Sequence, residues 1–322
     1  MHRKHEPSSG WLPAFLAAWG DVGRPDFEAQ HLLAEMSLEA DERGWLEELW
    51  RASSSIPTRR VLALASQPPG LEQAEWLLQQ LPALEDVALF IAALNVLSHE
   101  TLPAEFLARA RAALHRQLSR FSGRHPRSMQ LRLLSYLQGT SEEEPLTRAD
   151  LEALDDISAL SLWRETSLAD TFLSARQLLR ETGLPSAGRH AFTLATLSIR
   201  DPGSYLLRKR AAATRRGLAP GARHPLGHIF SNVGARMAEN SSLLERTLGL
   251  LMVQQGAEDA EDPVAMQKAA ALLEELYSAQ AAWRRAAAGQ WPLHSLMEEL
   301  VEARARDENA LMRTFMAHPQ VP

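Results

Sequence analysis

The chain contains no cysteine. This excludes disulfide bonds, thiolate metal ligands and cysteine nucleophiles, although it does not fix the cellular compartment. Lysine is almost absent as well, so arginine supplies nearly all of the positive charge. The longest apolar run, at 87–94, has the length of a core segment and falls short of the ~18 residues that a membrane span requires. We therefore expect no membrane-spanning helix.

Residues that favour β-strands are also scarce. Isoleucine occurs at only five positions and valine is nearly as rare, whereas leucine and alanine occur throughout the chain. Strands favour β-branched and aromatic residues, while helices favour Ala, Leu, Arg, Glu and Gln. No Asn-Gly or Asp-Gly turn separates two alternating apolar runs. The sequence predicts an all-α fold.

Several polar residues mark the starts of the predicted helices. Thr147 and Ser167 are each followed three residues later by an aspartate. This is the pattern of an N-cap residue followed by an acid in the first turn, where the carboxylate of the acid meets free backbone N–H groups. Asp201 and Asp262 each precede a proline, which loses no hydrogen bond at the first position of a helix. We therefore expect helices to begin directly after these four residues.

An aromatic–Leu pair recurs along the first half of the chain at intervals of 30 to 34 residues, the length of a two-helix hairpin unit. The pairs begin at Trp11, Trp45, Trp76, Phe106 and Tyr136. This spacing predicts an array of short helical hairpins, solenoid-like or irregular, over 1–199. The alternative is that aromatic residues begin many helices by chance, in which case the spacing carries no structural meaning.

The C-terminal part of the chain has a different pattern. Residues 263–288 and 292–317 each carry an apolar stripe at helical spacing and are long enough for an antiparallel hairpin. We therefore assign 200–322 to a basic junction helix followed by a C-terminal helical bundle. The two parts could also form one continuous domain.

The net charge of −6 argues against nucleic-acid binding over the whole surface, so any anion site must be local. The segment 200–228 is the natural candidate, because it carries seven lysine and arginine residues and only one acid, Asp201. Four of its cations fall within an arc of roughly 120° on a helix, and three residues beyond them extend the patch. The predicted anion- or partner-binding residues are Arg208, Lys209, Arg215, Arg216, Arg223, His224 and His228.

A structural explanation of the same charges is equally available. Arg210 points to the apolar side of this helix and therefore requires an acid or a carbonyl as a partner. The segment 141–170 contains nine acids against two arginines, and it could dock on the basic helix within the chain. Burial of Arg210 against one of these acids would make the segment architectural.

Catalytic and cofactor motifs are weak or missing. Glu28 and His31 have the Glu-x-x-His spacing of helical di-iron bundles, but no second copy follows. His294 and Glu298, four residues apart, could complement them, as could Glu274. No phosphate-binding loop, dinucleotide-binding turn or nucleophile elbow is present. We predict no cofactor, and a metal centre at Glu28, His31, His294 and Glu298 is the alternative.

These patterns favour a macromolecular-interaction protein over an enzyme. The arginine- and alanine-rich composition is typical of a bacterial protein. The N-terminal apolar run at 11–19 is too short and too poor in cleavage-site residues for a secretory signal, so we expect a cytoplasmic location. The predicted partner is another protein, with the chain acting as an adaptor, a regulator or a toxin-neutralising partner. Nucleic-acid binding through the basic helix is a weaker hypothesis, and a helical-bundle enzyme with a metal centre or an apolar substrate pocket is the alternative.

Overall fold

A computed structural model describes residues 44–184, 187–286 and 294–316, with side chains placed for these residues except 284–286 and 294–299. Within these ranges the chain is helical and forms no β-strand, which confirms the all-α prediction. A helical segment at 44–52 comes first, and two short 3-10 turns occur later, at Leu81–Ala83 and Pro220–Ala222. The α-helices are α1 (Ile56–Ala65), α2 (Leu71–Gln80), α3 (Val87–Leu97), α4 (Ala104–Arg124), α5 (Met129–Leu137), α6 (Arg148–Ser158), α7 (Leu168–Arg180), α8 (Ala187–Ile199), α9 (Pro202–Arg216), α10 (His224–Ala238), α11 (Leu243–Asp259), α12 (Pro263–Ala286), α13 (His294–Arg306) and α14 (Glu308–Met316).

The predicted helix starts are confirmed. Thr147 forms a capping box with Asp150, and the hydroxyl of Ser167 accepts a hydrogen bond from the backbone N–H of Asp170. Asp201 caps α9, and the Asp262 carboxylate accepts hydrogen bonds from the first backbone N–H groups of α12. Each of these side chains satisfies donors that a helix leaves unpaired at its first turn, so local sequence alone fixes where these helices begin.

Two large hydrophobic clusters form the core. The first joins α1–α4, α7 and α8, and it encloses Phe90, Phe121 and Phe172. Helix α8 is central to it, because α8 packs against α1, α3, α7 and α13. The second cluster joins α5, α6, α9, α10 and α11 around Phe230. Helix α5 contributes to both clusters, since Leu131 faces the first and Leu133 the second.

Helices α10 and α11 form an antiparallel pair in unusually close contact. Gly227 faces Gly256, and Gly234 faces Gly249. A Cβ atom added at Gly234 would lie 2.5 Å from the Gly249 carbonyl oxygen, and one at Gly256 would lie 2.7 Å from the Gly227 carbonyl oxygen. Only glycine allows the two backbones to approach this closely. The seven-residue spacing of glycines in both helices is visible in the sequence.

The predicted C-terminal hairpin forms only in part. Its first helix is α12, but the second is divided at Asp307 into α13 and α14. The Asp307 carboxylate accepts a hydrogen bond from the Ala310 backbone N–H and so starts a new helix inside the predicted one. Helix α14 then packs on α12, with the rings of Trp283 and Phe315 5.0 Å apart, while α13 packs on α7 and α8.

The N-terminus of α11 is closed by two carboxylates and a serine. Ser242 caps the helix by accepting from the Glu245 backbone N–H, while Glu308 of α14 accepts a hydrogen bond of 2.7 Å from the Leu243 backbone N–H. Glu245 itself is buried and forms an ion pair with the buried Arg164, with the Arg164 Nε 2.7 Å from a Glu245 oxygen. The start of α11 is therefore tied to the segment after α6 and to the C-terminal helix.

The recurring aromatic–Leu pairs have unlike surroundings. Trp45 is exposed, Trp76 and Tyr136 are half-buried, and Phe106 is fully buried. The pair at Trp11 lies outside the described residues. Equivalent positions in a true repeat would occupy equivalent environments. The described pairs do not, so they give the repeat no support, and it stays a prediction.

Candidate interaction site

Helix α9 carries most of the predicted site, and its start is anchored on α5. Asp201 caps it by accepting hydrogen bonds from the backbone N–H groups of Gly203 and Ser204. A Cβ atom at Gly203 would lie 2.9 Å from the Leu134 backbone nitrogen, so glycine is needed for the close approach to α5. Burial raises the pKa of Asp201 to about 6, against the opposing effect of the hydrogen bonds from Ser204 and Gly203 and with a further rise from the charge of Glu245.

Arg210 lies inside the molecule. It is 2% exposed, and its Nη2 is 3.0 Å from a carboxylate oxygen of Asp150 in α6. The same guanidinium donates to the backbone carbonyls of Glu144 and Pro145 at 3.0 and 3.3 Å. Arg210 therefore pairs with the acidic segment 141–170, as the structural explanation of the basic helix requires.

Asp150 is the centre of this contact. It completes the capping box of α6 and also accepts a hydrogen bond of 2.7 Å from the Tyr136 hydroxyl. Burial alone would raise the pKa of Asp150, but hydrogen bonds from Thr147 and Tyr136 and the charge of Arg210 outweigh it, and the net pKa is lowered. Burial and the hydrogen bond to Asp150 raise the pKa of Tyr136 to about 12. Asp150 thus stays ionised, and Tyr136 stays a hydrogen-bond donor.

Arg215 and Arg223 are also used internally. The Nε of Arg215 donates to Asp259 of α11 at 2.7 Å, and its guanidinium carbon lies 4.4 Å from the centre of the Phe230 ring. Arg223 donates to the backbone carbonyls of Arg215 and Leu218, at and just beyond the end of α9. These two residues hold α9 against α10 and α11.

The outward face of α9 carries Tyr205, Lys209 and Arg216, which are exposed, and Arg208, which is half-buried. In the part of the chain that the structure describes, none of the three cations has an acidic partner. Tyr205 is 46% exposed, lies 5.4 Å from the Lys209 ammonium and donates a hydrogen bond to Glu142. The face therefore combines open positive charge with an exposed aromatic ring.

The two predicted histidines lie at the start of α10. His224 is exposed, whereas His228 lies 2.8 Å from Asp155 of α6 and 3.5 Å from the side-chain amide of Asn232. His228 is thus a second link to the acidic segment. The seven predicted residues do not form one cluster, because Arg215 and Arg223 face inward and His228 has an acidic neighbour.

The arginines of α4 lie outside the segment that the sequence predicts to bind anions or a partner. Between residues 104 and 132 the chain carries seven arginines and a single acid, Glu105. The exposed arginines of this segment are Arg109, Arg111, Arg116, Arg124, Arg127 and Arg132. A charge count in a window of thirty residues would have identified this segment as readily as 200–228.

The residues of the metal alternative fall where the structure gives no side chains. Glu28 and His31 lie outside the described residues, and so do the side chains of His294 and Glu298. Among the described side chains, no group of three His, Asp or Glu residues has metal-binding geometry. A cavity between the helix at 44–52 and residues 182–184 is lined mainly by apolar side chains, with Glu48 and Thr182 as its polar residues. A single carboxylate supplies no acid–base pair.

No protein-family model, curated protein or solved structure matches the chain. No helix among the described residues is long and apolar enough to cross a membrane.

Proposed function

We propose that this protein acts by binding another protein through the outward face of α9, formed by Tyr205, Arg208, Lys209 and Arg216. The observation that carries the proposal is the division of charge on this helix. Its inward cations, Arg210 and Arg215, each have an acidic partner, whereas its outward cations have none in the part of the chain with described side chains.

The chemistry of this face favours a protein partner with an acidic surface. Tyrosine and arginine are enriched at protein interfaces, where the ring supplies contact area and the guanidinium forms paired hydrogen bonds with carboxylates. Tyr205 stands among the cations and is half exposed, so it can act as the anchor. An adaptor, a regulator and a toxin-neutralising protein would all use such a surface.

The test compares the affinity of the wild type and of a charge-reversed variant for the same protein partner. The native protein is cross-linked in cell extract, and the partner is identified by mass spectrometry, purified and titrated against the wild-type chain by calorimetry. Substitution of Arg208, Lys209 and Arg216 by glutamate should weaken binding at least tenfold, because several charge-assisted contacts are reversed.

The matched control reverses three arginines of α4, namely Arg111, Arg116 and Arg124, which lowers the net charge by the same amount. This control should leave the affinity for the protein partner within a factor of three. Equal affinity of the α9 variant and the wild type would refute the site, and an equal loss in both variants would show that net charge alone is responsible.

A further inference from the structure

Helix α4 presents a basic face that the proposed function does not use. One side of the helix packs against α2, α3 and α5 through Phe106, Leu114, Leu118 and Phe121, all of which are buried. The opposite side is open to solvent, and its middle line carries the small residues Ala108, Ala112, Ser119 and Gly123, together with Glu105 in the first turn and His115 beside Ala108.

Arginines flank this line of small residues. At 100° per residue, Arg109, Arg116 and Arg120 fall within an arc of about 40° on one flank, and Arg111 lies on the other. Arg124 lies at the end of the helix, about 40° beyond Arg120 and at the same angle as the buried Phe106. Arg127 and Arg132 follow in the next loop and in α5. The distance along the axis from Arg109 to Arg124 is about 22 Å at 1.5 Å per residue.

Among the described residues, two of these arginines have partners and the others have none. The Nη1 of Arg109 donates to Glu75 at 3.2 Å, and Arg120 donates to the Pro82 carbonyl at 2.6 Å. The remaining five have no ion-pair or hydrogen-bond partner within the described ranges; these are Arg111, Arg116, Arg124, Arg127 and Arg132. The nearby histidine of the loop, His125, is paired with Glu165.

We propose that the α4 face binds the phosphate backbone of a nucleic-acid duplex. Guanidinium groups form paired hydrogen bonds with phosphate oxygens, and the small residues between the two flanks allow a backbone to approach the helix closely. Because the whole chain is acidic, with a net charge of −6, the open arginines also fix the orientation in which a polyanion can approach.

Two features favour a nucleic-acid duplex over a protein partner or a single strand as the ligand of this face. Protein interfaces centre on buried aromatic or aliphatic anchors, and α4 exposes no large apolar side chain, in contrast to α9 with Tyr205. Proteins that bind single strands stack bases on aromatic rings, and no phenylalanine, tyrosine or tryptophan of α4 is exposed. A duplex, whose backbone is recognised by charge without stacking, therefore fits best.

Binding is tested by fluorescence polarisation with labelled 20-base-pair DNA and RNA duplexes, a single strand of equal length and poly-glutamate, at several salt concentrations. The wild type should bind one or both duplexes more tightly than the single strand and poly-glutamate, with an affinity that falls steeply as salt rises. Conversion of Arg111, Arg116 and Arg124 to glutamate should weaken duplex binding roughly tenfold or more and flatten the salt dependence, because three phosphate contacts are lost.

The triple glutamate variant of α9 is the matched control and should bind duplex within a factor of three of the wild type. Circular dichroism and urea titration of both variants confirm that each is folded, and an α4 variant with lysine at the same three positions should retain most of the affinity. Three results would each overturn the proposal: no salt-dependent duplex binding by the wild type, an equal loss in both glutamate variants, or poly-glutamate bound as tightly as the duplex. Because the α9 proposal is tested with a protein partner, either proposal can fail alone.

Discussion

At the scale of single residues, burial separates the arginines into two groups. Arg164, Arg210 and Arg215 are buried or nearly so, and each contacts a carboxylate. A buried ion pair contributes little net stability compared with apolar packing, but loss of one partner leaves a charge without compensation. These arginines therefore specify how the helices are arranged.

Replacement of Arg210 by alanine should lower the free energy of unfolding by on the order of 3 kcal/mol, because Asp150 and two backbone carbonyls lose their donor. Urea denaturation followed by circular dichroism measures the change. Arg208→Ala, two positions away on the outward side, should change the free energy of unfolding by no more than about 0.5 kcal/mol. Similar losses in the two variants would contradict the internal role of Arg210.

The raised pKa of Asp201 should give the free energy of unfolding a pH dependence of opposite sign to that which most carboxylates give. Its pKa in the folded protein is about 6 against an ordinary value of 3.8, so between about pH 4 and 6 the folded state binds a proton that the unfolded state has released. The free energy of unfolding attributable to Asp201 therefore falls as pH rises through this window, by on the order of 3 kcal/mol at most, and this cost is fully present above pH 6.

Asp201→Asn removes this titration while retaining a side-chain oxygen for the cap. The stability of the variant relative to the wild type should increase from pH 4 to pH 7, as measured by urea denaturation at each pH. A constant difference between the two proteins over this range would show that the carboxyl group does not titrate there.

At the scale of helices, local sequence predicts where a helix begins better than it predicts which helices pack together. The caps at Thr147, Ser167, Asp201 and Asp262 could be predicted because each depends on residues within one turn. The break at Asp307 was missed, because the apolar stripe continues through it and the periodicity gives no sign of a division. The pairing of α10 with α11 was missed because a close approach of two backbones depends on how the two helices pack in the folded protein.

The glycines of that pair give a test at this scale. Gly234→Ala should destabilise the protein by several kcal/mol, since its Cβ would meet the α11 backbone at 2.5 Å, and this clash outweighs the ~1 kcal/mol by which alanine is the better helix former. Gly123→Ala in α4 should instead stabilise the protein by about 0.5–1 kcal/mol, because nothing lies within 4 Å of the added Cβ. Thermal unfolding of the two variants gives opposite shifts in Tm if this is correct.

At the scale of the whole molecule, many contacts cross residue 200. The pairs Arg210–Asp150, Glu245–Arg164 and Arg176–Glu302 each join the segment before it to the segment after it. Composition and charge patterns identified both partners of the first pair in general terms, as a basic helix and an acidic block. They did not identify which acid meets which arginine, because that depends on how α5, α6 and α9 pack.

These contacts favour one continuous domain over two independent ones. A fragment of residues 1–199 should therefore fail to fold stably, since Met129, Leu133 and Leu154 would lose the apolar partners that α9–α11 supply. The expected result is a broad, low-stability urea transition for the fragment and a single cooperative transition for the whole chain. A fragment with a sharp transition of its own would support the division at residue 200.

The hydrogen bond that the Glu308 carboxylate accepts at the start of α11 also implies an order in which this region is completed during synthesis. The carboxylate accepts from a backbone group 65 residues earlier in the chain. At 5–20 residues per second, a ribosome needs roughly 3–13 s to make that interval. Helices α10 and α11 are complete once Asp259 has been added and can then pair through their glycines, but the first turn of α11 lacks one of its acceptors until Glu308 arrives. The last step in maturation of this region is therefore the arrival of α14, and a chain stalled before residue 308 would hold an α11 that is formed but not closed.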